Sequence, residues 1–306
     1  MNEIDQTIQE GMNQFGYKFK IVSIEHLHEV QESVGKLIRQ GLIDRSLYET
    51  WHFYLDTNQN LPEAKSIIIV AMPQKIIHIT FRWQGIVYPA YFPPGHFASI
   101  DEFHVEEILS SILGKAGNRA THAHLALKTL AVRSGLARYG RNNLAYVTGM
   151  GSFCRLIAFY SDFSCDEDNW QESGAMKTCE NCSLCRDNCP VQSISVDRFL
   201  IHAEYCRTYR EAEKDFGVAQ PDHCNTLIGC MKCQQVCPVN KPYVQSFASG
   251  PIFSEEETAS ILGKTPVEKL SKDTRQKLDR LTDNELYLLL ARNLRALIEK
   301  QKRVVR

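Results

Sequence analysis

The stretch Cys179-Glu180-Asn181-Cys182-Ser183-Leu184-Cys185-Arg186-Asp187-Asn188-Cys189-Pro190 decides how this chain is read. Its spacing is Cys-x2-Cys-x2-Cys-x3-Cys-Pro. In bacterial ferredoxins three such close thiolates hold one [4Fe–4S] cluster and the fourth reaches a second. A cubane needs four soft ligands converging from different directions. A tight loop can supply three of them, and the residue before a proline cannot continue that loop as helix. The later run Cys230-Met231-Lys232-Cys233-Gln234-Gln235-Val236-Cys237-Pro238 repeats the pattern without its first cysteine, because Leu227 stands at that place. Cys189, Cys230 and Cys233 therefore need one more ligand, and between the runs only Cys206 and Cys224 are available. Disulfides are not expected, since Met1 to Glu10 lacks the charged-then-apolar order of a secretion signal. Zinc ribbons use paired Cys-x2-Cys units without the third regular cysteine or the trailing Cys-Pro.

At 306 residues the chain has room for a large domain and a smaller one. Its 43% hydrophobic and 23% charged residues, with a formal net charge of -1, are those of an ordinary globular protein. The longest apolar run, Ile67 to Met72, is strand-sized, so no membrane association is expected. Near-neutral charge argues against a general nucleic-acid binder. A cytoplasmic protein is the expectation. Over residues 1–172 helical and strand patterns alternate as in an α/β (α+β) domain. Ile24 to Gln40 places Leu27, Val30, Val34, Leu37 and Ile38 on one helical face. Ser66 to Met72, closed by Pro73, suits a strand buried on both faces. Phe103 to Leu113 and Ala123 to Ser134 read as helices ended by Gly114 and Gly135. Leu144 to Thr148 and Leu156 to Tyr160 read as strands. Residues 173–245 form the cysteine-rich, ferredoxin-like segment. Residues 246–306 stay polar until one clear helix, opened by the capping-box pattern Thr282-x-x-Glu285 and striped by Leu286, Leu289, Leu290, Leu294, Leu297 and Ile298.

The stretch Leu130-Ala131-Val132-Arg133-Ser134-Gly135-Leu136-Ala137-Arg138-Tyr139-Gly140-Arg141-Asn142-Asn143-Leu144, then Gly151-Ser152 and the Cys179 run, resembles epoxyqueuosine reductase and its relatives, the corrinoid reductive dehalogenases. Cys206-Arg207-Thr208-Tyr209-Arg210-Glu211-Ala212-Glu213 is similar to the segment that supplies one cluster ligand in the queuosine enzymes. So is the second cysteine run, from Gly229 to Asn240. The resemblance covers roughly Ser66 to Asn240. It implies that Cys179, Cys182, Cys185 and Cys237 hold one cluster, and Cys189, Cys206, Cys230 and Cys233 the other. Cys154, Cys165 and Cys224 are then ordinary thiols. The implied fold is an α/β cobalamin-binding-type domain, a ferredoxin-like double [4Fe–4S] domain and a C-terminal helix.

The resemblance also implies cobalamin, bound base-off against the upstream domain at the Gly140-Arg141-Asn142 and Gly151-Ser152 turns. Glycine turns let backbone amides approach a large ligand, and an arginine can pair with the nucleotide-loop phosphate. Electrons would come from a reduced ferredoxin or flavodoxin and serve reductive chemistry on a small-molecule or tRNA-nucleoside substrate. Three positions depart from the resembled enzymes. Their acidic aspartate aligns with Thr121, which cannot act as that acid, and the adjacent His122, with an ordinary pKa near about 6.5, becomes the candidate. Their arginine-rich segment is replaced by Tyr91-Phe92-Pro93-Pro94-Gly95-His96. Their helical repeats at the C-terminus are reduced to one clear helix. The lost aspartate leaves an alternative open: an electron-transfer or cofactor-reactivating iron–sulfur protein without substrate chemistry of its own.

Overall fold

The computed structural model describes residues 3–43, 60–94, 99–212, 225–281 and 286–305. Along the chain come helix α1 (Glu3–Asn13), strand β1 (Lys18–Ser23), helix α2 (Leu27–Arg39), strand β2 (Ser66–Pro73) and a hairpin of β3 (Ile76–Trp83) and β4 (Ile86–Phe92). Next are α3 (Ser99–Lys115), β5 (Ala120–Ala123), α4 (Leu127–Arg133), β6 (Ala137–Tyr139), β7 (Ala145–Val147) and β8 (Cys154–Ser161). The cysteine-rich segment holds only the short helices α5 (Leu184–Asp187), α6 (Arg207–Ala212) and α7 (Lys232–Gln235). Strand β9 (Phe247–Phe253) and helices α8 (Glu255–Leu262), α9 (Lys272–Asp279) and α10 (Tyr287–Val305) follow. The chain divides into two compact units, residues 1–74 with 98–182, and residues 75–97 with 183–306.

The first unit is built on the antiparallel sheet β1-β2-β8-β5. Its centre is β2, whose Ser66 to Met72 are all buried. Strand alternation sends neighbouring side chains to opposite faces, and here each face meets its own core. Ile67, Ile69 and Ala71 pack with Leu130, Ala131 and Val132 of α4 and with the β6–β7 hairpin. Ile68, Val70 and Met72 pack with Ile8 and Met12 of α1 and with Val105, Leu109 and Leu113 of α3. The last three recur every fourth residue, which puts them on one side of the helix. One expectation is corrected here. The residues expected to begin a helix at Ala123 instead complete β5, which pairs along the open edge of β8 from Ala120↔Ser161 to Ala123↔Ala158. The helix starts only at Leu127, so His122 is a strand residue and not a helix-start one.

The second unit packs the sheet β4-β3-β9 against α8, α9 and α10. The β3–β4 turn is Gln84-Gly85, both with positive φ (53° and 72°), the two-residue geometry that matches strand twist. The β9 strand runs parallel to β3, with a register shift between His78 and Thr80. A Cβ on Gly250 there would lie 2.7 Å from the Ile77 side chain and 2.9 Å from the His78 carbonyl, so only glycine fits. The C-terminal stripe behaves as expected, with Leu289, Leu290, Leu294, Leu297 and Ile298 all buried. Two helices were not expected before it. A capping box opens α8, in which Ser254 Oγ accepts from Glu257 N (3.2 Å) and Glu257 returns the bond to Ser254 N (2.7 Å). The Thr282–Glu285 box lies outside the described residues. Among the described residues, no helix is long and apolar enough to cross a membrane.

Truncating either face of β2, as Ile68→Ala or Ile69→Ala, should cost about 2–5 kcal/mol. Phe103→Ala on the exposed side of α3 should stay within about 0.5 kcal/mol. Denaturant midpoints of the three variants check this, and equal losses would contradict the two-core packing of β2.

Candidate iron–sulfur and cofactor site

The first cysteine run leaves the first unit on a mount built by the β6–β7 hairpin. Tyr139 N donates to Gly174 O (3.0 Å) and Met176 N to Tyr139 O (2.8 Å), laying the lead-in residues beside β6. Cys179 then closes a 3-10 turn onto Met176 O. The turn is gripped by Arg141, whose guanidinium donates to the carbonyls of Cys179 (2.6 Å) and Glu180 (3.3 Å). The charged end of Arg141 therefore braces the cysteine run. Its Nε–H is buried without a partner and is the part still able to meet a ligand.

In the second unit the two runs share one local design. A one-turn helix, α5 or α7, carries Cys185 or Cys233, and an extended cysteine leads into proline, as at Cys237-Pro238. Asn188 Nδ2 donates to Lys232 O (2.8 Å), joining the end of α5 to the start of α7. Cys206 sits in extended conformation between a 3-10 turn, Ala203–Tyr205, and α6. Burial pushes the Cys230 thiol up. The Lys232 amide and the charge of Arg207 oppose this, while nearby Cys206 and Cys189 push it further up. Cys189 and Cys206 thus each lie within electrostatic reach of Cys230. Cys189 Sγ also accepts the Ser193 amide (3.4 Å), a donor suited to a thiolate. Among the described residues no three His, Cys, Asp or Glu side chains converge on a single metal ion. A four-iron cluster binds each thiolate to a different iron and so holds its ligands further apart.

Leu227, where the regular cysteine is missing, is fully buried in the core beneath α10. Its amide donates to Tyr91 O (2.8 Å) and its carbonyl accepts from Asn293 Nδ2 (2.8 Å). A ligand cannot come from a side chain turned into that core. Cys224 lies outside the described residues. Burial pushes the Cys154 thiol up to about 12, and burial with neighbouring acids pushes Cys165 up to about 11, so both are neutral, unreactive thiols near pH 7. The described cysteines are all unbridged.

The residues expected at cobalamin lie at two turns. Gly140 closes the β6–β7 turn, accepting from Asn143 N and donating to Leu144 O (both 2.9 Å), and a Cβ there would strike the Tyr146 ring. Asn142 is buried, its amide donating to Tyr146 OH (3.0 Å). Gly151, at φ 60°, pairs with Val147 just beyond the other end of β7, next to buried Ser152. The two turns are thus separated by a three-residue strand, about 10 Å of rise. His122, half-buried on β5, lies 4.8 Å from the His124 ring and edge-on to Phe159 at 5.5 Å. Burial first, then His124, holds its pKa below 6.5, against the pull of Glu102 and Glu106. The neighbouring Thr121 hydroxyl is buried without a hydrogen-bond partner. Two functional features escaped the sequence reading, the Arg141 grip on Cys179 and the buried contacts of Leu227. Arginine and leucine carry no spacing signal that could have exposed them.

Residues 178–240 match the family described as a 4Fe-4S double cluster binding domain. An epoxyqueuosine reductase of Cellulophaga algicola is 28% identical over 274 residues, 82% of this chain and 83% of that protein. The structure of epoxyqueuosine reductase from Streptococcus thermophilus superposes with a TM-score of 0.66 at 16% identity, covering 98% of this chain and 82% of that one. An epoxyqueuosine reductase crystallised with an epoxyqueuosine-modified tRNA stem loop superposes with a TM-score of 0.64 at 15% identity, covering 97% of this chain and 81% of that one. The resemblance read from the sequence is therefore borne out: this chain is similar to the epoxyqueuosine reductases over most of its length, with a double [4Fe–4S] domain at residues 178–240.

Proposed function

We propose that this chain is a cytoplasmic iron–sulfur reductase of the epoxyqueuosine reductase type, acting with cobalamin on a tRNA nucleoside or a closely related small substrate. The observation that supports it most is that the Cys206 segment, outside either run, is tied to the turn before Cys230 by the Glu211 carboxylate, which accepts from Arg207 Nε and from the Gly229 amide. A structural cysteine would have no reason to sit there. Cys189, Cys206, Cys230 and Cys233 are the ligands of one cluster, and Cys179, Cys182, Cys185 and Cys237 those of the other. The likeness to reductases extends well upstream of the cysteine runs, which a bare electron carrier does not account for. A reduced ferredoxin or flavodoxin is the donor in this reading.

Cobalamin, when bound, supplies a strongly reducing centre to which the clusters deliver single electrons. The backbone at Gly140, Asn142, Gly151 and Ser152 would hold it, with Arg141 fixing the Cys179 turn beside that surface and offering its Nε–H. His122 is the candidate proton source in place of an aspartate. Its surroundings favour neutral imidazole, so its supply of protons grows only toward acid pH. Near-neutral net charge is compatible with recognition of one nucleoside and not with broad binding of nucleic acid.

Anaerobic purification with iron, sulfide and corrinoid analysis tests the scheme. Two clusters, uptake of added cobalamin and turnover of an epoxyqueuosine-containing stem loop are expected. Failure to take up cobalamin would remove the reductase reading, and uptake without turnover would remove only the nucleoside. The ligand assignment predicts that Cys206→Ala loses about half the iron whereas Cys224→Ala keeps it all; the reverse pattern would refute it. For His122 the folded pKa lies below 6.5, so its contribution to stability is complete above that pH and is lost as pH falls through the folded value. Thermal melts between about pH 7.5 and pH 5 should therefore fall less steeply for His122→Gln than for the parent, and parallel curves would count against a buried, neutral His122.

A further inference from the structure

We propose that Glu211 is a positioning residue for the second cluster: one buried carboxylate holds the Cys206 and Cys230 segments at a common spacing and anchors both to helix α10. The proposal rests on the reading of Cys189, Cys206, Cys230 and Cys233 as the ligands of that cluster. Glu211, on α6, is 3% exposed. Its Oε1 accepts from Arg207 Nε (2.7 Å), Asn293 Nδ2 (3.0 Å) and Arg292 Nη2 (3.2 Å), and its Oε2 accepts from the Gly229 amide (2.6 Å). The sequence positions of these donors carry the inference. Arg207 directly follows Cys206, Gly229 directly precedes Cys230, and Arg292 and Asn293 belong to α10.

The turn before Cys230 has no helix of its own to stand on. Gly229 is left-handed (φ 67°), its carbonyl accepts from Thr226 Oγ1 (2.8 Å), and its amide is held by Glu211. Asn293 Nδ2, besides meeting Glu211, donates to Leu227 O and so holds the same turn from its other end. A ligand within a regular run is positioned by the run. Cys206 is not, because it comes from another segment, and the Glu211 carboxylate is the direct bond from that segment to the Cys230 turn. Every group facing Glu211 is a donor. A carboxamide would turn its own NH2 onto one of them, so glutamine keeps the shape of the residue and loses the arrangement.

The test compares the parent chain, Glu211→Gln, Arg292→Gln and Glu257→Gln, each purified anaerobically. Iron and sulfide per chain, the electron paramagnetic resonance of the reduced protein and the midpoint potentials are read. Glu257 pairs with Lys277, and its partners Ser254, Thr274 and Lys277 adjoin no cysteine, so Glu257→Gln should lower the melting temperature and leave the spectra unchanged. Glu211→Gln should lose up to about half the iron or shift the signal and potential of one cluster only. Arg292→Gln, at the partly exposed end of the network, should keep its iron and shift that same cluster. Iron, spectra and potentials of Glu211→Gln identical to the parent would overturn the proposal. Should Glu211→Gln not fold, an unaltered Arg292→Gln overturns it instead. A parent chain without two clusters would sink the ligand assignment, and the proposal with it.

Discussion

A carboxylate taken out of water must find donors for its lone pairs, and the second unit is arranged around the place where Glu211 finds four. Those donors come from α6, from the turn before Cys230 and from α10, three segments that are distant in sequence. Removing one partner from a buried, charged pair typically costs about 3–5 kcal/mol, whereas an exposed pair contributes little. That difference separates Glu211 from the exposed acids among the described residues. The Arg39–Glu32 pair is more than half exposed at both ends and decides nothing about the fold. The Glu211 group binds cysteine-bearing loops, which bury little apolar surface themselves, to the large core that α10 shares with β3, β4 and α8.

The first unit solves its problem differently, with a strand that has no solvent side. Strand β2 is covered on both faces, and β8, paired along one of its edges, carries β5 on its other edge and contributes to both cores. The hairpin β6–β7 packs on one of these cores and then carries the Gly174 to Met176 lead-in along its edge. Arg141 completes the connection by gripping the first cysteine turn. The same arginine that the resemblance places at the cofactor is bonded through its guanidinium to the Cys179 and Glu180 carbonyls.

Much of this was legible from residue order. The run Ser66 to Met72 is apolar at every position after the first, which only a doubly covered strand requires, and the Leu stripe of α10 has the period of a helix. The cysteine runs announce their chemistry by spacing alone. Spacing could not choose between Cys206 and Cys224, because that choice depends on which segment folds back onto Cys230. It also could not reveal β9, whose parallel pairing joins residues as far apart as Ile76 and Phe247, or show that Ala120 to Ala123 would be captured by the free edge of β8. The alanines of this segment favour helix, and pairing with the edge of β8 overrode that preference. A lone glutamate such as Glu211 gives no sign of burial in the sequence.

The donors that surround Glu211 impose an order on how this protein can be made. Arg207 and Gly229 emerge during synthesis well before Arg292 and Asn293, and domains generally begin folding from the N-terminal side as the chain grows. The first unit and the first cysteine turn can form while the remainder is still being synthesised. The Leu227 to Cys230 turn, in contrast, gains its direct anchor from Asn293, and Glu211 gains its bond from the same side chain, only when α10 has arrived and docked. Of the two clusters in the proposed assignment, the one given to Cys206 and Cys230 is therefore the one whose surroundings are completed by the far end of the chain. A chain cut short before α10 would keep the Glu211 bond to Gly229 and lose the two bonds that Asn293 makes, to Glu211 and to Leu227.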